Sequence, residues 1–208
     1  MDIISALSTQ GYAELSDVEN IEQALCATEM LGRLIPLNGQ AVQELAPKKK
    51  EAAVSQSFSK QHGLRSFPLH TDTAFWAKPA RFLVLFANKS SQTATRVLPL
   101  QLTSELMTKT RSSNPIFLRQ TVNGSIYSPP WIDDIGCSTV YDPCYMQPAN
   151  LAAEEYESIS LECSTSAIRF GWTGSRALVI DNWRVLHGRD DCCDDNRVLY
   201  RFYRGIEE

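Results

Sequence analysis

Histidine is scarce in this chain: three residues among 208, at positions 62, 70 and 187. Positive charge is also short, with 20 Lys and Arg against 24 Asp and Glu, a net charge of -4 and a pI near 5.5. That balance excludes the basic stripe a nucleic-acid surface needs, and the longest basic run, "KKK" at 48–50, reads as a solvated turn. No stretch approaches the roughly 20 apolar residues of a membrane span. The N-terminus carries an early acid, Asp2, and no basic start before an apolar run, so it does not read as a signal peptide. Cysteine is present without a CxxC: Cys26, Cys137, Cys144, Cys163, Cys192 and Cys193 are scattered. They read as reduced thiols of a cytoplasmic protein, with vicinal Cys192 and Cys193 in a loop. Internal repeats and low-complexity tracts are missing too. What is there is ordinary: 43% hydrophobic and 21% charged residues. One domain over 1–208 is expected, with cover from residues 1–50 and a core over 51–208.

Ser16 and Glu19 match a capping box ahead of Val18, Ile21, Leu25 and Leu31, which recur at helical spacing, and Gly32 suits the C′ position. A weaker helix is predicted over 2–9, with "GYAEL" as a short strand between the two. From about residue 52 the texture becomes strand-like: "AAVSQSF", "RFLVLFA", "IFLRQTV", "GSIYS", "STVYD", "AIRFGW", "ALVIDNW" and "VLYRFYR", some separated by turns at Asn123-Gly124 and Gly174-Ser175. Helices are predicted at about 100–109 and 148–161. Many short strands without βαβ alternation imply a mainly β fold, a β-sandwich or jelly roll with helical cover. Another strand-rich α+β arrangement is the alternative.

Chemistry concentrates first in "FPLHTDTAFW", residues 67–76. In a strand His70 and Asp72 would face the same side, making either a hydrogen-bonded pair or two-thirds of a metal site. By itself the pair is weak: three histidines meet an acid at one given position by accident with about one chance in three. The stretch "ALVIDNWRVLHGRDDCCDDNRVLYRFYRG" at 177–205 strengthens it, because it carries His187 near a strand end and then Arg197 and Arg201. Two imidazoles and a carboxylate on one face of an octahedron suit non-haem Fe(II) with open positions for a chelating co-substrate and O₂. His62 has no matching carboxylate and is assigned a pocket or surface role. Trp76, Trp131, Trp172 and Trp183 read as core or pocket wall. Asn182 and Trp183 read as shaping the strand before His187, and Arg81 and Arg184 as salt-bridge partners. Arg189 reads as a support for His187 or as solvated, and Asp190, Asp191, Asp194 and Asp195 as an exposed turn.

"FPLHTDTAFWAKPARFLVLFA", "NWRVLHGR" and the arginines of "RVLYR" together resemble the taurine dioxygenase-like (TauD/TfdA) family of Fe(II)- and 2-oxoglutarate-dependent dioxygenases, from about residue 30 to the end. The resemblance implies a double-stranded β-helix (jelly-roll, cupin-like) core with Fe(II) on His70, Asp72 and His187. It implies that Arg197, ten positions after His187, pairs with the distal carboxylate of 2-oxoglutarate, helped by Thr95 or alternatively Thr93. The co-substrates would be 2-oxoglutarate and O₂, converted to succinate and CO₂, and the primary substrate a small polar or anionic metabolite. Asp72 occupies the position that is small in related halogenases, so hydroxylation is expected. The chain is short for the family, so lid and dimerisation insertions are reduced and the oligomeric state stays open. Period two puts Arg201 on the same side as Arg197, where it needs a second anion: the primary substrate or an internal acid. Two rival readings remain: a metal jelly-roll isomerase or lyase without 2-oxoglutarate, and a non-catalytic jelly roll in which His70 and Asp72 only share a hydrogen bond.

Overall fold

A computed structural model describes residues 2–53, 57–133, 138–193 and 197–205. Cys137, Asp194 and Asp195 lie outside the described residues. The chain opens with α1 (Ile3–Gln10), β1 (Tyr12–Leu15), α2 (Ile21–Ala27), β2 (Arg33–Ile35) and β3 (Gln43–Leu45). It continues through α3 (Phe58–His62), β4 (Phe67–His70), β5 (Phe82–Ala87), β6 (Ser91–Val97) and α4 (Leu100–Arg111). Next come the short strands β7 (Phe117–Thr121), β8 (Gly124–Ser128), β9 (Trp131–Ile132), β10 (Ser138–Thr139) and β11 (Met146–Pro148). Last are α5 (Leu151–Cys163), β12 (Ile168–Trp172), β13 (Arg176–Asp181), β14 (His187–Arg189) and β15 (Leu199–Gly205).

Two antiparallel sheets build the core, while β11-β7-β8 and β10-β9 pair separately. The larger runs β1-β13-β5-β15-β2, with β3 also paired to β15, and the smaller runs β12-β6-β14-β4. Leu83, Leu85, Leu178, Ile180 and Leu199 of the larger sheet share one core with Val97, Phe170 and Trp172 of the smaller. The alternate side chains Phe82, Val84, Phe86, Ala177, Val179 and Phe202 pack under Ala6 and Leu7 of α1 and Ala24 of α2. β5 is therefore buried at all six positions, and its sequence is an unbroken apolar run instead of an alternating one. Outside the smaller sheet, Leu69, Leu98 and Leu186 pack against Leu106 of α4 and Tyr156 and Ile159 of α5. No helix among the described residues is long and apolar enough to cross a membrane.

The element pattern follows the sequence with two corrections. The helix expected from Ser16 and Glu19 starts later, because Asn20 caps it: its side chain accepts from the Gln23 amide at 2.9 Å, and the Gln23 side chain accepts from the Glu19 amide at 2.8 Å. That reciprocal pair leaves Ser16 outside, and the helix gives way to a 3-10 turn at Glu29–Leu31 before Gly32. "AAVSQSF" is not a strand where it is described: Ala52 closes a 3-10 turn, and Ser57 caps α3 by accepting from the Lys60 amide at 3.2 Å. Residues 54–56 lie outside the described residues. β6 has no apolar signature because its buried positions include Thr93 and Thr95.

Candidate metal centre

β14 lies between β4 and β6 in the smaller sheet, and His187 sits directly opposite His70, their rings 4.3 Å apart. Gly188 makes this approach feasible. A Cβ there would meet the Phe67 carbonyl oxygen at 2.7 Å and that of Pro68 at 3.0 Å, so any side chain would push the two strands apart. β4 ends at His70, so strand alternation does not place Asp72. Asn182 does: it accepts from the Asp72 amide at 2.8 Å and donates to the Asp72 and Ala80 carbonyls at 2.9 and 2.8 Å. Thr73, with φ +58, turns the chain just beyond.

His70, Asp72 and His187 are buried and each offers one ligand atom, all within 4.8 Å of one another. Asp72 Oδ1 faces His70 Nε2 at 3.4 Å and His187 Nε2 at 3.9 Å. Its other oxygen, Oδ2, accepts from Arg201 Nη1 at 3.1 Å and Tyr203 Oη at 3.0 Å. His70 Nδ1 lies 2.9 Å from the Pro68 carbonyl, which can only accept, so the ring proton belongs on Nδ1 and Nε2 presents a lone pair. Burial alone would lift the Asp72 carboxyl, but Arg201 and the two imidazoles hold it far below the usual carboxylate range. Burial, with His70 adding to it, pushes His187 down to about 3 and keeps it neutral. At His70 burial acts downward, and the bond and charge of Asp72 outweigh it and raise the imidazole. Lone pairs thus converge on one spot that only a proton or a cation can make favourable, and a two-nitrogen, one-oxygen donor set fits a divalent transition metal.

A cavity of about 420 Å³ opens beside the three residues. Arg197 and Thr95 line it, both buried, with Arg197 Nη2 3.4 Å from Thr95 Oγ1. Thr95 Oγ1 also accepts from Trp172 Nε1 at 3.1 Å. Thr93 does not line the cavity; its hydroxyl accepts from the Cys193 amide at 3.1 Å. Arg201 lines the cavity while gripping Gln43 Oε1 through Nε and Nη2 at 3.1 and 2.6 Å, so the internal acid it meets is Asp72 itself. His62 stands apart, stacked near Phe58, whereas Phe58 covers His70 at 4.1 Å. Arg189 is buried over the Phe67 ring and donates to the Gly63 and Arg65 carbonyls, tying the segment after α3 to β14. Arg81 and Arg184 both pair with buried Asp181. The acidic loop is more engaged than a plain exposed turn: Asp190 pairs with Arg96 and Arg169, and Asp191 accepts from the Ser66 amide.

Three contributors escaped the sequence reading. Tyr203 lies two positions beyond Arg201, and period two would have found it. Gln43 carries no signal. Asp142, in "YDPCY", reads as a turn residue, yet it is 4% exposed and lines the cavity. Burial, with the Asp72 charge adding to it, pushes its carboxyl up to about 6 against the opposing pull of His70 and the Cys144 amide.

No family model and no curated protein matches the sequence. Solved structures do match the fold. An asparagine oxygenase in complex with Fe(II), 2S,3S-3-hydroxyasparagine and succinate superposes with a TM-score of 0.67 at 18% identity, over 86% of this chain. PvcB, an Fe, alpha-ketoglutarate dependent oxygenase from an isonitrile synthetic pathway, gives 0.66 at 16% identity over 95% of this chain and 76% of its own. A candidate alpha-ketoglutarate-dependent taurine dioxygenase from Burkholderia xenovorans gives 0.66 at 17% identity over 99% of this chain and 82% of its own. The chain spans 63% of the length of the asparagine oxygenase, and what it has in common with these oxygenases is the fold.

Proposed function

We propose that this chain is an Fe(II)/2-oxoglutarate-dependent oxygenase of the TauD-like kind, with a jelly-roll core that hydroxylates a C–H bond of a small polar metabolite. The observation that carries the reading is Asp72: one oxygen is held by Arg201 and Tyr203 while the other faces two imidazole Nε2 atoms. His70, Asp72 and His187 would hold the metal. Bound iron and 2-oxoglutarate supply the oxidising power, with O₂ consumed and succinate and CO₂ released.

The remaining work falls to this chain's own side chains. Arg197 offers a planar fork to the distal carboxylate of 2-oxoglutarate. Thr95 already receives two donors at Oγ1, so its own hydrogen is what it has left to give, and a carboxylate accepts it. Arg201 orients Asp72 and, through the N–H groups not used on Asp72 and Gln43, presents positive charge to an anionic group of the primary substrate. Phe58 and Phe75 line the cavity and limit access of water.

Anaerobic addition of Fe(II) and 2-oxoglutarate should produce a weak visible charge-transfer band. His187→Ala should abolish it, and Arg197→Ala should demand much more 2-oxoglutarate to reach it. A protein that shows no band and turns over only with zinc would belong to the lyase or hydrolase classes instead.

A further inference from the structure

Asp142 places a carboxylate in the cavity that the reading above does not use. It comes from the turn after β10, is 4% exposed, and lines the same space as the three candidate metal ligands. One oxygen, Oδ1, accepts from the Cys144 amide at 2.7 Å. No Lys or Arg among the described residues forms an ion pair with it, whereas Arg201 is engaged with Asp72 and Gln43. The Tyr145 amide and the Cys144 thiol also bear on the carboxylate, but these donors are neutral and none brings a positive charge. A buried carboxylate without a cation is unfavourable, and its charge is felt at both His70 and Asp72.

We propose that Asp142 is the seat for a positively charged nitrogen, an ammonium or guanidinium group, of the primary substrate. The assignment rests on the oxygenase reading. Arg189, Arg197 and Arg201 line the cavity with positive charge, and Asp142 is the carboxylate there that Arg201 does not hold. A zwitterion can carry its cation to Asp142 and its anion toward Arg201. Tyr145, from the same turn, adds an aromatic wall beside the carboxylate. The substrate class is therefore a free amino compound with an acidic group, and acylation of the nitrogen should abolish recognition.

The test uses the full chain with Fe(II) and 2-oxoglutarate bound anaerobically. The probes are L-asparagine, L-arginine and 2-aminoethanesulfonate, each against its N-acetyl derivative, and the readouts are the change in the visible band and probe-stimulated succinate formation. In the native protein at least one free amine should perturb the band and stimulate succinate, and its acetylated form should do neither. Asp142→Asn keeps the acceptor for the Cys144 amide, so it should melt cooperatively and still form the band. It should nevertheless bind that amine about ten- to a hundredfold more weakly, the loss expected for a charged hydrogen bond. Should Asp142→Asn fail to fold, Asp142→Ser, whose hydroxyl oxygen can also accept the Cys144 amide, takes its place. A band that no free amine perturbs, equal responses to amine and N-acetyl amine, or native-like amine affinity in Asp142→Asn overturns the assignment and leaves the oxygenase reading standing. Absence of the band in the native protein overturns the oxygenase reading itself.

Discussion

The two oxygens of Asp72 divide their work, and the division depends on single side chains. Arg201 and Tyr203 hold Oδ2, which turns Oδ1 toward both imidazoles and keeps the carboxyl ionised. Loss of groups that orient a metal ligand typically weakens metal binding by about ten- to a hundredfold. Arg201→Ala should fall in that range, and Tyr203→Phe, which removes one neutral hydrogen bond, should cost several-fold less; competitive Co(II) titration measures both. Equal affinity in all three proteins would mean that Asp72 needs no outer support. Asp142 makes the opposite kind of prediction. Its carboxyl is raised from 3.8 to about 6 chiefly by burial, so the folded chain binds that proton more tightly than the unfolded one. Stability therefore falls as pH rises from about 4 to about 6 and stays lowered above. Without metal, Asp142→Asn should be more stable than the native protein at pH 7.5 by up to about 3 kcal/mol, and the gap should close near pH 4. Urea midpoints at the two pH values read this. A native protein more stable than the variant at pH 7.5 would reveal a cation already paired with Asp142.

At the scale of elements, the site depends on how closely β14 lies against β4. The register shift between His187 and Arg189 sets Gly188 against the backbone of Phe67 and Pro68. Gly188→Ala should force the strands apart and cost about 1–3 kcal/mol through overpacking. Because His70 and His187 ride on those two strands, metal binding should suffer more than the fold does. Gly171 on β12 is the matched control, since a Cβ there would meet nothing within 4 Å; Gly171→Ala should leave metal affinity unchanged. Melting curves and Co(II) titrations on both variants separate a local strand effect from general loss of structure. Similar losses in the two would show that the spacing of β4 and β14 does not govern the site.

At the scale of the whole molecule, the centre joins both sheets. The smaller sheet supplies His70 and His187, and β15 of the larger sheet supplies Arg201 and Tyr203, which reach across to Asp72. A metal bound there should therefore stabilise the global fold and not only a loop. At a hundredfold excess over its dissociation constant a metal adds about 2.7 kcal/mol, which for a chain of this size raises the melting temperature by roughly 5–10 °C. Zn(II) should produce this shift, a chelator should reverse it, and His187→Ala should lose it. An unchanged shift in His187→Ala would move the metal to other ligands.

The sequence alone carried whatever is local along the chain. It exposed His70 two positions before Asp72, the continuous apolar run of β5, and the helices near 100–109 and 148–161, whereas the role expected of Arg197 came from the family resemblance. Each of these local features is a matter of spacing or periodicity within a few tens of residues. Only the tertiary structure decided what lies between residues distant in sequence. Asn182 clamps Asp72 across 110 positions, and Arg201 and Tyr203 hold it across 129 and 131. The same holds for Asp142, whose sequence context is a turn but whose surroundings are the wall of the cavity. Such contacts follow from strand register and sheet packing, and a one-residue slip would turn every side chain of a strand to its other face. Residue types and spacing could therefore suggest candidate ligands, whereas their orientation and the charge around them exist only once the two sheets have closed on each other.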